Sequence, residues 1–306
     1  MSNDISEKHL KEVLLYEIEH GTAKTLNVFN LKPRTLERYK RQDRHDSTYI
    51  PKILLLDIET TPCEGWFWNT GKQYVTHEQI KKPWNVLSWG AKWLFSCEMM
   101  SDILTPKEAK EGNDKRVVTS MWDLLEKADV VIAHNGDNFD LPRLNTRFIL
   151  NGLKPPRPYQ SIDTLKIARK HFNFSSNRLD YLGKLMFNKG KIKTDYELWL
   201  RCMSGHKESL NYMLKYNVKD VLLLEEVYLE LRAWIKSHPN MGLYVEADEE
   251  VCPTCGNREL EWGGYYSTGV SKFAAFRCKN CGAIGRCRTN KLSPEQRKVL
   301  TISTAR

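Results

Sequence analysis

The sequence has no apolar run long enough to cross a membrane, and its first residues, MSNDISEKHLKEV, lack the apolar core of a secretory signal. These absences predict a cytoplasmic protein with no membrane partner. A surplus of acidic residues is also absent, because the 306 residues carry a formal net charge of +9. That charge favours a polyanionic partner such as nucleic acid, although a solvated basic surface is the alternative. With 41% hydrophobic residues, the chain can form one large core and one or two small modules.

Cysteine is scarce in the first 250 residues, which contain only Cys63, Cys97 and Cys202. The other five lie close together near the end of the sequence: Cys252, Cys255, Cys278, Cys281 and Cys287. The first four of these form two Cys-x-x-Cys pairs with 22 residues between them, near the usual spacing of a four-cysteine zinc site. We therefore predict that these four bind one structural Zn²⁺ and that Cys287 is left over. The alternative is a set of free reduced cysteines.

One apolar strand is followed directly by acidic residues. Ile53-Leu54-Leu55-Leu56 predicts a short strand buried on both faces, and Asp57-Ile58-Glu59 comes next. Side chains alternate along a strand, so Asp57 and Glu59 project to one face. Unpaired carboxylates are costly to bury, and oxygen ligands of this kind suit Mg²⁺ or Mn²⁺. The Asp-x-Glu spacing occurs twice more in the chain, but only this pair follows an apolar strand.

Two later segments carry further candidate residues. The buried strand predicted at Val130-Val131-Ile132-Ala133 is followed by a polar turn and by Asp140, just before a predicted helix, Leu141–Leu150. Asp140 is either a metal-binding carboxylate or the N-cap of that helix, and the two roles are compatible. A long helix is predicted over Lys207–His238, and it carries Tyr216 and Asp220 on one face because they lie four residues apart.

The segment between the first strand and residue 95 is rich in aromatic residues. Its tryptophans are Trp66, Trp68, Trp84, Trp89 and Trp93. The end of this segment, Val86–Phe95, is predicted to add further strands to the same sheet. Exposed tryptophans could stack on bases, but aromatic side chains in a large domain more often form the core. Residues 120–128 and the segment that begins at Ser161 are predicted to be helical.

Taken in order, these motifs resemble those of a known family. Asp57-x-Glu59, Asn135-x-x-x-Phe139-Asp140 and Tyr216-x-x-x-Asp220 resemble the three exonuclease motifs of DEDD-type 3′→5′ exonucleases, over about residues 52–237. The tyrosine is typical of the DEDDy subgroup, represented by the proofreading domain of family-B DNA polymerases. The histidine subgroup has His at the position of Lys215. No polymerase region follows here, so the chain is similar to stand-alone exonuclease-like proteins of bacterial and phage genomes.

The resemblance implies an α/β, RNase H-like (DnaQ-like) fold, in which a mixed sheet is flanked by helices. It also implies that two Mg²⁺ or Mn²⁺ ions support hydrolysis of a phosphodiester. The implied metal ligands are Asp57, Glu59, Asp140 and Asp220. Tyr216 would orient the attacking water rather than act as a base, because an ordinary tyrosine has a pKa of about 10. Asn135 and Phe139 would contact the terminal nucleotide, and Asp163 would cap a helix or support the ligands.

Smaller modules are predicted on both sides of the catalytic domain, which we place at residues 49–240. Residues 1–48 resemble a helix-turn-helix module with a basic last helix at 34–41, or else form a three-helix cap with a solvated basic face. Residues 245–306 are predicted to be a zinc ribbon with a basic tail. Its exposed aromatic residues would stack on single strands, or the ribbon would only dock on the catalytic domain or another protein. The aromatic residues considered are Tyr265, Tyr266, Phe273 and Phe276, interspersed with Lys272 and Arg277.

These features predict a metal-dependent 3′→5′ exonuclease that acts on DNA. A 3′ end must be single-stranded or frayed to reach ions at the end of a strand. Trimming of RNA 3′ ends is the second hypothesis, since RNA-processing relatives share the same acids. The third is a DNA-binding regulator with an inactive nuclease fold, against which the complete set of acids argues.

Overall fold

The computed structural model describes residues 12–13, 16–17, 22–36, 51–69, 71–72, 74–190, 192, 194–245 and 249–301. The chain divides into two compact units. The first comprises residues 1–50 and 242–248, and the second comprises residues 51–241 and 249–306.

The first unit contains helix α1 (Thr22–Val28). Helical conformation is also found at residues 12–13, 16–17 and 33–36. Val13 and Leu36 are buried and belong to one small apolar cluster, so these helical segments share a core. The predicted basic helix at 34–41 lies mostly outside the described residues. The helix-turn-helix module therefore stays a prediction.

The second unit contains all the strands that the structure describes. Its strands are β1 (Ile53–Thr60), β2 (Glu64–Gly65), β3 (Ile80–Lys82), β4 (Val86–Trp93), β5 (Met100–Ile103), β6 (Val130–Ala133), β7 (Gln160–Asp163), β8 (Leu260–Ser267), β9 (Lys272–Cys278) and β10 (Ile284–Arg286). Five of them form a mixed sheet in the order β5-β4-β1-β6-β7, β2 and β3 form a hairpin, and β10-β9-β8 form a separate sheet. Strand β1 lies at the centre of the mixed sheet, antiparallel to β4 and parallel to β6. Leu54, Leu55 and Leu56 are fully buried, which confirms the predicted strand.

Helices flank this sheet. They are α2 (Pro106–Glu111), α3 (Lys115–Leu125), α4 (Asp140–Leu150), α5 (Thr164–His171), α6 (Leu179–Phe187), α7 (Tyr196–Met203), α8 (Lys207–Leu231) and α9 (Pro294–Lys298). Helix α8 packs on β4 and β1. Gly90 of β4 permits a close approach, because a Cβ atom there would lie 3.1 Å from the carbonyl oxygen of Asn217 and 3.2 Å from Val221 Cγ2. In the β1–β4 pairing Gly90 is opposite Asp57, so the middle of α8 lies beside the acidic part of β1.

The structure corrects one predicted helix start. The segment from Ser161 to Asp163 belongs to strand β7, and α5 begins only at the next residue. The strand forms because it pairs in parallel with β6, a long-range contact that local sequence does not reveal. The Asp163 side chain accepts hydrogen bonds from the backbone N–H groups of Leu165 (3.0 Å) and Lys166 (3.3 Å). Asp163 is thus a helix cap, one of the roles predicted for it.

Two other helix boundaries also differ from the prediction. The helix predicted at 120–128 is α3, which starts earlier and ends at Leu125. The long helix ends at Leu231, where a short 3-10 turn, Arg232–Trp234, replaces the predicted continuation to His238. Within the described ranges, no helix combines the length and apolar character that crossing a membrane requires.

Two similar cysteine turns border these last strands: one precedes β8, and the other lies between β9 and β10. The backbone N–H of Gly256 donates to the carbonyl oxygen of Cys252 (2.8 Å), and that of Gly282 donates to the carbonyl oxygen of Cys278 (2.9 Å). Both glycines have positive φ angles, 71° and 75°, which side chains rarely tolerate. Ala233, just beyond α8, packs against this cysteine cluster. The cysteine turns therefore pack against the residues that directly follow α8.

Candidate active site

Strand β1 and helix α8 bring three carboxylates together. One side-chain oxygen from each of Asp57, Glu59 and Asp220 lies within 4.8 Å of the other two. Asp57 and Glu59 are half-buried, and Asp220 is buried. Three negative charges at this spacing repel one another unless a cation lies among them. Carboxylate oxygens are the ligands that Mg²⁺ and Mn²⁺ prefer, so the donor set fits such an ion.

Asp140, the fourth predicted ligand, lies beside this cluster and is 3% exposed. Its Oδ1 accepts a hydrogen bond from the backbone N–H of Ile58 (3.0 Å), the residue between Asp57 and Glu59. Burial raises the pKa of Asp140 well above its ordinary value, and the negative charge of Asp57 raises it further. The alternative role of Asp140, as N-cap of α4, is not observed. Phe139 occupies that position, and Asp140 is the first helical residue, with its carboxylate turned to β1.

Asn217 is a site residue that the sequence analysis missed. Its Nδ2 donates to Oδ2 of Asp57 (2.6 Å), and its Oδ1 accepts a hydrogen bond from the Ser88 hydroxyl of β4. The side chain is fully buried. This amide therefore fixes the orientation of the Asp57 carboxylate from α8. The available signal was spacing, because Asn217 precedes Asp220 by three residues and so shares its helix face.

Tyr216 lies one helical turn before Asp220 on the same face of α8. Its side chain is 9% exposed and packs against the main apolar core. The fold therefore places the tyrosine next to the carboxylate cluster along the helix, as the spacing predicted.

The loop after β6 carries the predicted nucleotide-binding residue Asn135. Asn135 has a positive φ of 70°, and its backbone N–H donates to Oδ1 of Asp163 (2.9 Å). Its side-chain oxygen accepts a hydrogen bond from Asn138 Nδ2 (3.4 Å). Asp163 thus links this loop to the start of α5, and it lies outside the group of three converging carboxylates. Its structural role is to hold the loop that leads to Asp140.

Phe139 is half-buried, and the Arg143 guanidinium lies over its ring. The Arg143 guanidinium lies 4.4 Å from the centre of the Phe139 ring and 4.7 Å from that of Trp84. It also donates through Nη1 to the Thr60 hydroxyl (2.9 Å), at the last residue of β1. A cation held between two aromatic rings at this point can contact a phosphate or a base near the carboxylates.

Two adjoining grooves lie beside the end of β1. One, of about 400 Å³, is open and has mixed aromatic and polar walls: Thr60, Thr61, Pro62, Cys63, Trp84, Arg143, Tyr196 and Trp199. The other has a volume of about 340 Å³ and shares Thr61 and Trp84 with the first. Glu64, Lys82 and Arg147 also line it. Aromatic walls with nearby cations suit an unpaired nucleic-acid strand.

The four predicted cysteines form a second group of side chains that is compatible with a metal ion. Cys252, Cys255, Cys278 and Cys281 have sulfur atoms that all lie within 4.8 Å of one another. The Cys252 thiol, by its hydrogen bond, lowers the pKa of Cys255, which favours the thiolate that binds metal. Four cysteine sulfur atoms this close together fit a Zn²⁺ site. Cys287 is outside the cluster, and its thiol donates to the carbonyl oxygen of Thr289 (3.1 Å).

Comparison with known proteins supports the fold. Residues 93–232 match the family model of the RNase H superfamily. The matched stretch contains Asp140, Tyr216 and Asp220 and begins after Asp57 and Glu59. The five-stranded mixed sheet with its flanking helices fits the α/β fold of this superfamily, which indicates a nuclease with a nucleic-acid substrate. No curated protein matches the chain.

Proposed function

We propose that the protein is a metal-dependent exonuclease of the DEDDy type that removes nucleotides from the 3′ end of DNA. The observation that carries this proposal is the convergence of Asp57, Glu59 and Asp220, with Asp140 bonded to the backbone between the first two. The superfamily match supports a nuclease in general. The exonuclease direction and the preference for DNA come from the resemblance of the motifs.

The four carboxylates suit divalent ions, and Asn217 has a separate role in the proposed reaction. The carboxylates of Asp57, Glu59, Asp140 and Asp220 would hold two Mg²⁺ or Mn²⁺ ions, and Asn217 would keep the Asp57 carboxylate oriented. When bound, such ions activate the attacking water and neutralise charge on the departing 3′ oxygen.

Other side chains would position the substrate. Tyr216 would orient the attacking water through its hydroxyl, one turn from Asp220. Phe139 and Asn135 would contact the terminal nucleotide, and Arg143, stacked on Phe139, would contact its phosphate. An unpaired 3′ end suits this arrangement, because the scissile phosphate must reach the end of β1.

The proposed zinc ribbon lies in another part of the second unit, and its surface also supports a nucleic-acid substrate. Tyr265 and Tyr266 are 62% and 52% exposed, whereas Phe276 is buried. Lys272 Nζ lies 3.9 Å from the centre of the Tyr265 ring, and the Arg286 guanidinium lies 3.9 Å from that of Phe273. Exposed rings beside cations would contact bases and phosphates of a single strand.

A cleavage assay tests the proposal. Single- and double-stranded DNA and RNA, labelled at the 5′ end, are incubated with the full chain and Mg²⁺ or Mn²⁺. We expect a ladder of products shortened from the 3′ end on single-stranded DNA. A ladder on RNA alone would replace the DNA proposal with RNA trimming, and binding without cleavage would favour the inactive regulator.

Variants tie the activity to the site. Asp57→Ala and Asp220→Ala each remove a proposed metal ligand, so cleavage should fall by about a thousandfold or more while nucleic-acid binding persists. Glu197→Ala is the matched control, because Glu197 has the same Asp-x-Glu spacing but lies exposed on α7. Full activity in Asp57→Ala would refute the assignment.

A further inference from the structure

We propose that residues 64–69, 71–72 and 74–82, the aromatic hairpin, form a stacking site for single-stranded nucleic acid outside the catalytic groove. The hairpin consists of β2, β3 and the described residues between them. This inference rests on the proposed function, because the ligand would be the nucleic-acid strand on which the exonuclease acts. The proposed stacking contacts do not involve the carboxylates.

The hairpin exposes several large aromatic side chains that lie close together in the sequence. Trp66, Trp68 and Tyr74 are 72%, 95% and 89% exposed, and Phe67 is 49% exposed. Trp89, in β4, is only 4% exposed, as is usual for a tryptophan in a domain of this size. The expectation that these tryptophans are core residues is therefore wrong for Trp66 and Trp68. The reason is that a two-stranded hairpin is too small to bury them.

The backbone at the base of the hairpin is well held. The N–H of Trp66 donates to the carbonyl oxygen of Gln79 (3.0 Å), and Gln79 Nε2 donates back to the carbonyl oxygen of Trp66 (3.3 Å). A Cβ atom at Gly65 would lie only 2.6 Å from the Gln79 carbonyl oxygen, so glycine permits the close approach of these two segments of the hairpin. Aromatic side chains on a fixed backbone lose little conformational entropy on binding.

Positive charge accompanies the exposed rings. Lys81 Nζ lies 5.2 Å from the centre of the Trp66 ring and 3.2 Å from a carboxylate oxygen of Glu64. Lys82 and Lys72 add further ammonium groups, and the Lys81 and Lys82 side chains are half exposed. Surface ion pairs such as Lys81–Glu64 are weak, so both lysines remain available to phosphates. Rings that stack with bases, next to cations that contact phosphates, are the features of a single-strand site.

The hairpin is continuous with the grooves beside the active site. Lys82 and Glu64, at its base, line the smaller groove, and Trp84 joins that groove to the one lined by Arg143. Glu64 comes five positions after Glu59, so their Cα atoms are at most about 18 Å apart. A strand whose 3′ end lies at the carboxylates would therefore reach the hairpin within a few nucleotides. The occupant we propose is an unpaired strand, because paired bases do not present free faces to Trp68 and Tyr74.

Binding assays test this proposal on the full chain. The double variant Trp68→Ala/Tyr74→Ala removes the two most exposed rings, and Trp68→Phe/Tyr74→Phe is the matched control that keeps a ring at each position. Fluorescence anisotropy is measured with single-stranded oligonucleotides of about 4 to 20 nucleotides, in the Asp57→Ala background without added divalent ions. We expect the alanine pair to bind the longer oligonucleotides about tenfold more weakly and the phenylalanine pair to bind as the parent does. The difference between the alanine pair and the parent should be smallest for the shortest oligonucleotide, which covers the fewest stacking positions.

Two further outcomes separate this proposal from the exonuclease proposal. If the parent binds single strands through the hairpin but wild type cleaves nothing, the exonuclease fails and the stacking site stands. If wild type cleaves, the alanine pair should raise KM for long substrates and leave kcat unchanged. Equal affinity of the alanine pair and the parent at every length would overturn the stacking site.

Discussion

The two candidate metal sites are built in opposite ways. The carboxylates of Asp57, Glu59 and Asp220 come from a central strand and a helix far along the chain. The four cysteines come from two short turns joined by a β-hairpin, with sulfur pairs such as Cys252 and Cys281 3.6 Å apart. The first cluster exists only once the large sheet has formed. The second needs little more than its own turns and a metal.

This difference predicts different roles for the two metals. The carboxylate cluster is anchored by a strand whose residues Leu54 to Leu56 are fully buried, so the apolar core holds the site together without an ion. The ribbon has a small cluster of buried residues made largely of the cysteines themselves. In the ribbon the metal should stabilise the fold, whereas in the sheet it should serve chemistry alone.

The largest expected effect is on the ribbon. Cys252→Ser should abolish zinc binding and unfold residues 249–301, because structural zinc contributes on the order of 10 kcal/mol to small zinc modules. Bound zinc is measured after release by a thiol reagent, and unfolding of the ribbon is measured by limited proteolysis. Cleavage of short single strands should persist, since Asp220 lies 13 residues before Ala233 in the chain, roughly 20 Å along a helix.

Cys287→Ser is the control for this experiment. Cys287 is buried in the same module but lies outside the four-sulfur cluster, so this variant should keep its zinc. Loss of zinc from both variants, or an ordered ribbon without zinc, would break the proposed contrast between the two clusters.

The contrast also explains what could be predicted from sequence. The cysteine cluster was predictable because its ligand spacing is local. Asp57 and Glu59 were predictable from an apolar strand that ends in acids, but the central position of β1 was not, because it depends on pairing with β4 and β6. Asp140 was ambiguous for a similar reason. Its carboxylate bonds to Ile58, 82 residues away, and no local pattern distinguishes that from a helix cap.

Polar residues in long helices were the hardest to interpret. Asn217 is surrounded in sequence by residues of mixed character, and its two partners, Ser88 and Asp57, lie on neighbouring strands. Only the packing of α8 on Gly90 brings them together. A polar residue that precedes a candidate ligand by three or four positions in a helix is therefore worth testing as a positioning residue.

Asn217→Ala tests how the carboxylate site differs from the cysteine site. The substitution removes a hydrogen bond to the Asp57 carboxylate but leaves every carboxylate in place. Loss of the Nδ2 bond to Asp57 should raise the Mg²⁺ or Mn²⁺ concentration needed for half-maximal cleavage by about 10- to 100-fold. The readout is a metal titration of the cleavage rate, with thermal unfolding measured in parallel. Ser88→Ala keeps the bond between Asn217 and Asp57, so its metal requirement should change far less. An unchanged metal requirement together with a lower melting temperature would show that Asn217 is only a packing residue.

The smallest expected effect comes from Gly90→Ala, which tests whether the carboxylate cluster depends on the approach of α8 to the sheet. The added Cβ would lie 3.1 Å from the Asn217 carbonyl oxygen, and helix backbone yields less easily than a flexible side chain. We expect a loss of about 1–3 kcal/mol in the free energy of unfolding, measured with urea, and a weaker metal response because Asp220 moves with the helix. Gly263→Ala is the control, since no atom lies within 4 Å of its added Cβ, and it should change stability by about 0.5 kcal/mol or less. If Gly90→Ala were as neutral as Gly263→Ala, the helix would not be held against β4 by close contact, and the carboxylates would have to be positioned by the hydrogen bonds of Asn217 and Asp140 instead.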